Sequence, residues 1–303
     1  MGQPNSVIRV IVPAATGQSW QAATDQSRLH QPRIASRYGK MPGVWPRLFP
    51  AWLLAAALLT SSMLAAQQIP VRNLEGTVHG FLVLSTLQGK TLAAGDLTQV
   101  LHGDQVTMRL LLHFQDGSTD DETTIYSQNH AFRLLSDHHV HVQKGPSFPH
   151  PMDVMIDASS GQVTVQYTDD GKQKQRKDHF DLPADLANGL LPVLLKNISP
   201  GAPETKVSYL AATPKPRLVK LAISSQGESK FSAAGHGYTA TRYVIKTEIG
   251  GVAGVIAPII GKQPKDIQVW ILGGTAPAFL KLEGQLYHGG PVWRIELASP
   301  VWQ

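Results

Sequence analysis

The stretch SDHHVHV at residues 136–142 brings the side chains best suited to chemistry closest together. Five of the 12 histidines crowd into residues 130–150: His130, His138, His139, His141 and His150. Side chains alternate across an extended strand. Asp137, His139 and His141 therefore share one face, while His138 and Val140 take the other. Two imidazoles two residues apart, joined by a carboxylate, can chelate a divalent metal, zinc foremost. A further donor has to come from elsewhere in the chain, with His113 and His150 as candidates. The plain alternative is a solvated, histidine-rich strand face that binds nothing, so no cofactor is the first expectation and zinc the alternative.

Other chemistries lack their residues. With 0 cysteines a thiol mechanism is impossible, and no GxSxG nucleophile elbow is present. Asp116, Asp120, Asp121 and Glu122 crowd a hairpin tip without EF-hand spacing, which reads as a solvated turn. The apolar, Gly-rich run IGGVAGVIAPIIGKQP at 249–264 is no phosphate loop. Ile256 stands where a Walker motif needs Gly, and Gln263 where it needs Ser or Thr. This run reads as a buried end-seal or as an apolar lid, and its Val255 and Ile259 are candidate ligand contacts.

Strands position these groups. Period-2 alternation recurs in 78–85, 96–102, 105–114, 122–128 and 131–143, followed by three short strands around turns at Ser159-Ser160-Gly161 and Asp169-Asp170-Gly171. After residue 200 come KVSYLAAT, RLVKLAISS, SKFSAAG, YTATRYVIKTE, DIQVWIL, AFLKLEGQLYH and VWRIELA. Turn signals every ten residues or so suggest a sandwich, a barrel or a strongly curved sheet. One helix is expected over 183–196, with Leu186, Leu190, Val193 and Leu194 on one side and Gly189 and Pro192 splitting it into two pieces. It reads as a plug on the concave side of the sheet, or as a connector between two β subdomains. Trp270, Trp293 and Trp302 fall near the C-terminus, where they complete the core of the last hairpin or line a cavity. Leu190 and Trp270 join Val255 and Ile259 as the expected ligand-facing residues.

Residues 47–66, RLFPAWLLAAALLTSSMLAA, have the order of a secretory signal peptide: a basic start, a short apolar run and a small-residue exit. The apolar run falls short of the roughly 20 residues of a spanning helix, so no stable membrane span is expected after cleavage. Met41 is the natural start for this signal. The expected organisation is a mis-annotated or disordered extension at 1–40, a signal peptide at 41–66, and a single β-rich domain at 67–303, periplasmic or secreted.

Set aside with residues 1–66 are Arg9, Arg28, Arg33, Arg37, Lys40, Arg47 and a single acid, Asp25, so the 27 Lys+Arg and 22 Asp+Glu of the chain become 21 of each. A neutral chain with scattered charges has no footprint for nucleic acid. Without cysteine no disulfide stabilises it, and the core must.

The run from Ala240 through Leu297 contains a Tyr-x-Ile-Lys strand, the Gly-rich segment, a Val-Trp strand and a hairpin with a Pro-x-Phe…Glu-Gly pattern. It resembles the end of secreted bacterial proteins similar to half-barrel envelope proteins of the lipoprotein-carrier kind. That resemblance implies a curved antiparallel sheet covering an apolar cavity around a helix, and it carries no catalytic residues. The fold expected is all-β, mainly antiparallel, as a large curved sheet or incomplete barrel with one central, broken helix. The function expected is non-catalytic binding of an apolar envelope ligand or partner. The alternatives are a metal-dependent enzyme centred on Asp137, His139 and His141, or a structural envelope module. A cavity above about 300 Å³ with apolar walls would favour binding, a third ligand converging on His139 and His141 would favour the metal, and a filled core with neither would favour the structural role.

Overall fold

The computed structural model describes residues 68–233, 236–249 and 264–298, all within one contact unit. The signal-like stretch at 47–66, residues 250–263 of the Gly-rich run with Val255 and Ile259, and Trp302 lie outside the described residues.

Among the described residues 14 strands form one antiparallel sheet, and most of them alternate apolar and polar side chains. In β7 (Gln162–Asp169), for example, Val163 and Val165 point into the core while Gln162 and Gln166 face out. The first meander runs β1 (Val78–Thr86), β2 (Thr91–His102), β3 (Gln105–Phe114), β4 (Thr119–Asn129), β5 (Ala131–Val142), β6 (Met152–Asp157), β7 and β8 (Lys172–His179). The second runs β9 (Thr205–Ala211), β10 (Arg217–Ala233), β11 (His236–Glu248), β12 (Ile267–Leu272), β13 (Ala278–Gln285) and β14 (Val292–Ala298). Pairing of β1 with β14 joins the meanders, which leaves β8 and β9 as the two edges of an unclosed sheet. Residues 217–233, expected as two strands, form the single strand β10, because a register shift between Ser225 and Glu228 absorbs Gly227 without ending the pairing.

The expected helix over 183–196 shrinks to one five-residue piece, α1 (Leu191–Leu195). Its first half forms two turns around a single bridge residue, Leu186, which pairs with an edge strand instead. Ala187 N donates to Ser208 O at 2.9 Å, and Ser208 N donates to Asp185 O at 3.2 Å. The Asn188 side chain then brackets Leu210, accepting from its N–H at 2.8 Å and donating to its carbonyl at 3.0 Å. These bonds cover part of the β9 edge, which would otherwise offer free backbone groups. The other edge, β8, carries four Lys or Arg residues and is exposed almost throughout, a surface hostile to stray strand pairing.

Leu186, Leu190, Val193, Leu194 and Leu195 are all buried and pack in one core with β3–β7 from the first meander and β9–β12 from the second. This segment is thus the plug that both halves of the sheet wrap. A buried ion pair anchors its far end: Lys196 Nζ lies 2.6 Å from Glu75 Oε2, with the two side chains 12% and 6% exposed. Asn197 Oδ1 also accepts the backbone N–H groups of Arg72 and Asn73, at 2.8 and 2.7 Å. Among the described residues no helix is long and apolar enough to cross a membrane.

Candidate functional site

An island of polar groups sits on the otherwise apolar inner face of β4 and β5. The two strands pair so that Asp120 faces His141, Glu122 faces His139, and Thr124 faces Asp137. On one side the island borders Met108, Leu110 and Leu112 of β3; on the other, Met152, Val154 and Ile156 of β6. Two local features set this register. His130, at φ +60°, turns the chain between β4 and β5 in a single residue. Leu135 then bulges: Ile125 pairs with Ser136 and Tyr126 with Leu134. The bulge shifts the alternation by one, so Phe132 and Leu134 before it share the inner face with Asp137, His139 and His141 after it.

The expected alternation of the histidine strand is what the structure has: His138 points outward, 3.0 Å from Asp153. The carboxylate that meets the two imidazoles, however, is Asp120. Its Oδ1 lies 2.6 Å from His139 Nε2 and 3.0 Å from His141 Nε2, and the two Nε2 atoms are 3.1 Å apart. Asp137 is on the same face but accepts instead from Thr124 Oγ1 at 2.9 Å, away from this group of three. The other candidate donors, His113 and His150, are both exposed and stand apart from it. The carboxylates of the supposed hairpin tip do not converge either. Asp121 faces outward to Arg109 at 2.6 Å, and Asp116 binds backbone N–H groups, while Asp120 and Glu122 turn in. Alternation in TDDETTIYSQ contained the signal for Asp120, Glu122 and Thr124 as one inward row; the pairing partner was what the sequence did not show.

Burial makes the island's charges interdependent. It pushes the Asp120 carboxyl upward, but the charge and hydrogen bonds of His139, then His141, win and hold it well below the usual carboxylate range. For His139 burial pushes the pKa down, yet the charges of Asp120 and Glu122 and the bond to Asp120 raise it to about 10. Burial raises Glu122 above its ordinary value, with His139 opposing and Asp120 adding. Asp137 is pushed up to about 7, first by burial and then by the Glu122 charge. The island thus holds one imidazolium–carboxylate pair, Asp120 with His139, beside two carboxyls that resist ionisation.

Both His141 and Phe148 are almost fully buried, and their rings stack at 4.5 Å and 12°. The loop that carries Phe148 is fixed from the β3–β4 turn: Ser147 N donates to Asp116 Oδ2 at 2.8 Å, and Lys144 N and Gly145 N donate to Ser118 Oγ at 3.0 and 3.1 Å. His139 keeps 20% of its side chain exposed, and that exposure opens on a cavity.

The cavity measures about 170 Å³ and lies between the plug, the island and strands β12–β14. Leu97, Leu110, Tyr209, Phe279, Leu282 and Ile295 form apolar wall, Asp120, Glu122, Thr124 and His139 form a polar patch on it, and Gln285 of β13 adds a further polar side chain. Two expected ligand contacts are corrected here. Leu190, 1% exposed, is core, and its neighbours Gly189, Leu191 and Pro192 reach the cavity instead. Trp270 is 7% exposed and does not line the cavity; Lys281 Nζ sits 3.9 Å over its ring, on the face opposite that of Val269 and the core. Trp293 packs against Phe114 at 5.6 Å and Tyr287 at 6.1 Å, within a second apolar cluster.

Fold and site together define a class: an unclosed antiparallel sheet around a short plug, with a small apolar cavity ending on a histidine–carboxylate island. Comparison with protein-family models, with curated proteins and with solved structures gives no match.

Proposed function

We propose that this protein is a non-catalytic binding protein of the periplasm or the external medium, taking up a small, largely apolar molecule with a hydrogen-bonding head. The observation that carries this reading is the cavity, whose mostly apolar walls carry the polar patch of Asp120, Glu122, Thr124 and His139. At about 170 Å³ it is smaller than the 300 Å³ of drug-sized pockets, and close to the size that accommodates a benzene-like molecule. The ligand is therefore a single small ring or the tip of one chain, with its head at Glu122 and His139. The cell-envelope setting is supported by the signal-like segment at 47–66 and by the resemblance of the C-terminal strands to half-barrel envelope proteins.

The test is titration calorimetry with p-cresol, an apolar ring carrying one hydroxyl, at several temperatures. One molecule should bind per chain with a negative heat-capacity change, the signature of buried apolar surface. Leu282→Trp should fill the cavity and abolish the heat of binding while leaving the circular dichroism unchanged. Absence of binding to the wild type, or binding undiminished in folded Leu282→Trp, would overturn the reading.

A further inference from the structure

We propose that Asp120, His139 and His141 form a binding site for a divalent transition metal of the zinc class. The three donor atoms, Asp120 Oδ1 and the two Nε2 atoms, are mutually 2.6, 3.0 and 3.1 Å apart. Ligands at the 2.0–2.1 Å of a tetrahedral zinc site stand roughly 3.4 Å from one another, so side-chain adjustments of about 0.4 Å per atom admit the ion. Two imidazole nitrogens and one carboxylate oxygen are the donor types that zinc and other borderline divalent ions select over magnesium or calcium.

Three further observations favour a cation here. Asp120 and His141 are each 2% exposed in their side chains, so a cation held between them would be shielded from competing water. Among the described residues no Lys or Arg pairs with Asp120, Glu122 or Asp137, so the island's three carboxyls have only histidines as cationic partners. Two neighbours border the imidazoles: Phe148 stacks on His141 with ring centroids 4.5 Å apart, which holds that ring in place, and Glu122 Oε1 lies 3.9 Å from His139 Nδ1, beside the site but beyond hydrogen-bond reach. Asp120 and His139 line the cavity, so a remaining coordination position faces it, open to the head of a small ligand. The metal site stands on its own geometry and does not depend on the apolar-ligand reading.

The experiment is equilibrium dialysis of the full chain against zinc alone, with metal analysis, beside p-cresol calorimetry on the same samples. One zinc per chain is expected. Asp120→Asn and His139→Gln, which keep side-chain size, should each weaken zinc binding about 100-fold, whereas His138→Gln on the outer face and Asp137→Asn beside the site should change it less than about threefold. Zinc-edge X-ray absorption of the wild type, which needs no variant to fold, should show two imidazoles and light-atom ligands at about 2.0–2.1 Å. Overturning results are sub-stoichiometric zinc, a spectrum without imidazole, affinity unmoved by Asp120→Asn and His139→Gln, or Asp137→Asn weakening it as much as Asp120→Asn. A chain that binds zinc but no p-cresol overturns only the apolar-ligand reading, and one that binds p-cresol but no zinc overturns only the metal site.

Discussion

Gly189 is where the plug meets the polar island, and Gly189→Ala measures that contact. Its φ is +65°, left-handed backbone that costs an L-residue about 1–2 kcal/mol. An added Cβ would also fall 2.0 Å from Thr124 Oγ1 and 2.9 Å from both Asp137 Oδ1 and Thr124 Cβ. No side chain tolerates the first distance. Either Thr124 rotates and leaves the buried Asp137 carboxyl without its 2.9 Å partner, or the plug lifts and loosens the packing around Leu190. Stranding a buried acceptor costs about 1–3 kcal/mol, so the substitution should destabilise the fold by about 2–5 kcal/mol in total. Gly201 is the control: its φ is +77°, but a Cβ there meets nothing within 4 Å. Gly201→Ala should therefore cost only the backbone term of about 1–2 kcal/mol. Urea unfolding with midpoint and slope measured for both variants isolates the contact as their difference. In a Thr124→Ala background, where the blocking hydroxyl is gone, Gly189→Ala should cost less than in the wild type. Equal destabilisation by Gly189→Ala and Gly201→Ala, with no coupling to Thr124, would refute the claim that the plug presses on the island.

Two further outcomes are expected beside the ligand and metal tests. Lys196→Met strands the Glu75 carboxylate beneath the N-terminal segment and should lose about 3–5 kcal/mol in the same urea assay, since breaking one partner of a buried pair leaves an uncompensated charge. Asp116 is a pH probe: burial pushes its pKa upward, but the N–H groups of Ser118 and Ser147 hold it down to about 2, against an ordinary 3.8. A depressed native pKa stabilises the fold above 3.8, and that contribution is lost as pH falls through 2, so the stability gap between wild type and Asp116→Asn should be widest near neutrality and close in acid. A gap that stays constant from pH 7 to pH 2 would contradict the assignment.

The sequence by itself determined what depends on near neighbours. Alternation in β5 places Asp137, His139 and His141 on one face, and alternation in β7 and β14 separates core from surface, because strand periodicity is a property of a few consecutive residues. The same reasoning overreached on the plug. Leu186, Leu190, Val193 and Leu194 have helical spacing, yet the β9 edge supplies backbone partners to residues 185–188 that an isolated segment lacks, and a single bridge at Leu186 between two turns replaces the first part of the helix. Replacement of Asp137 by Asp120 beside the histidines was decided by register, which the His130 turn and the Leu135 bulge set together and which shifts every cross-strand partner at once. The cavity is more remote still from local pattern. Its walls come from β1, β2, β3, β9, β12, β13, β14 and the plug, and pairing of β1 with β14 brings the C-terminal strands to an island built from β4 and β5. Side-chain direction is written in adjacent residues, but which surfaces meet is set by the packing of the whole sheet around its plug.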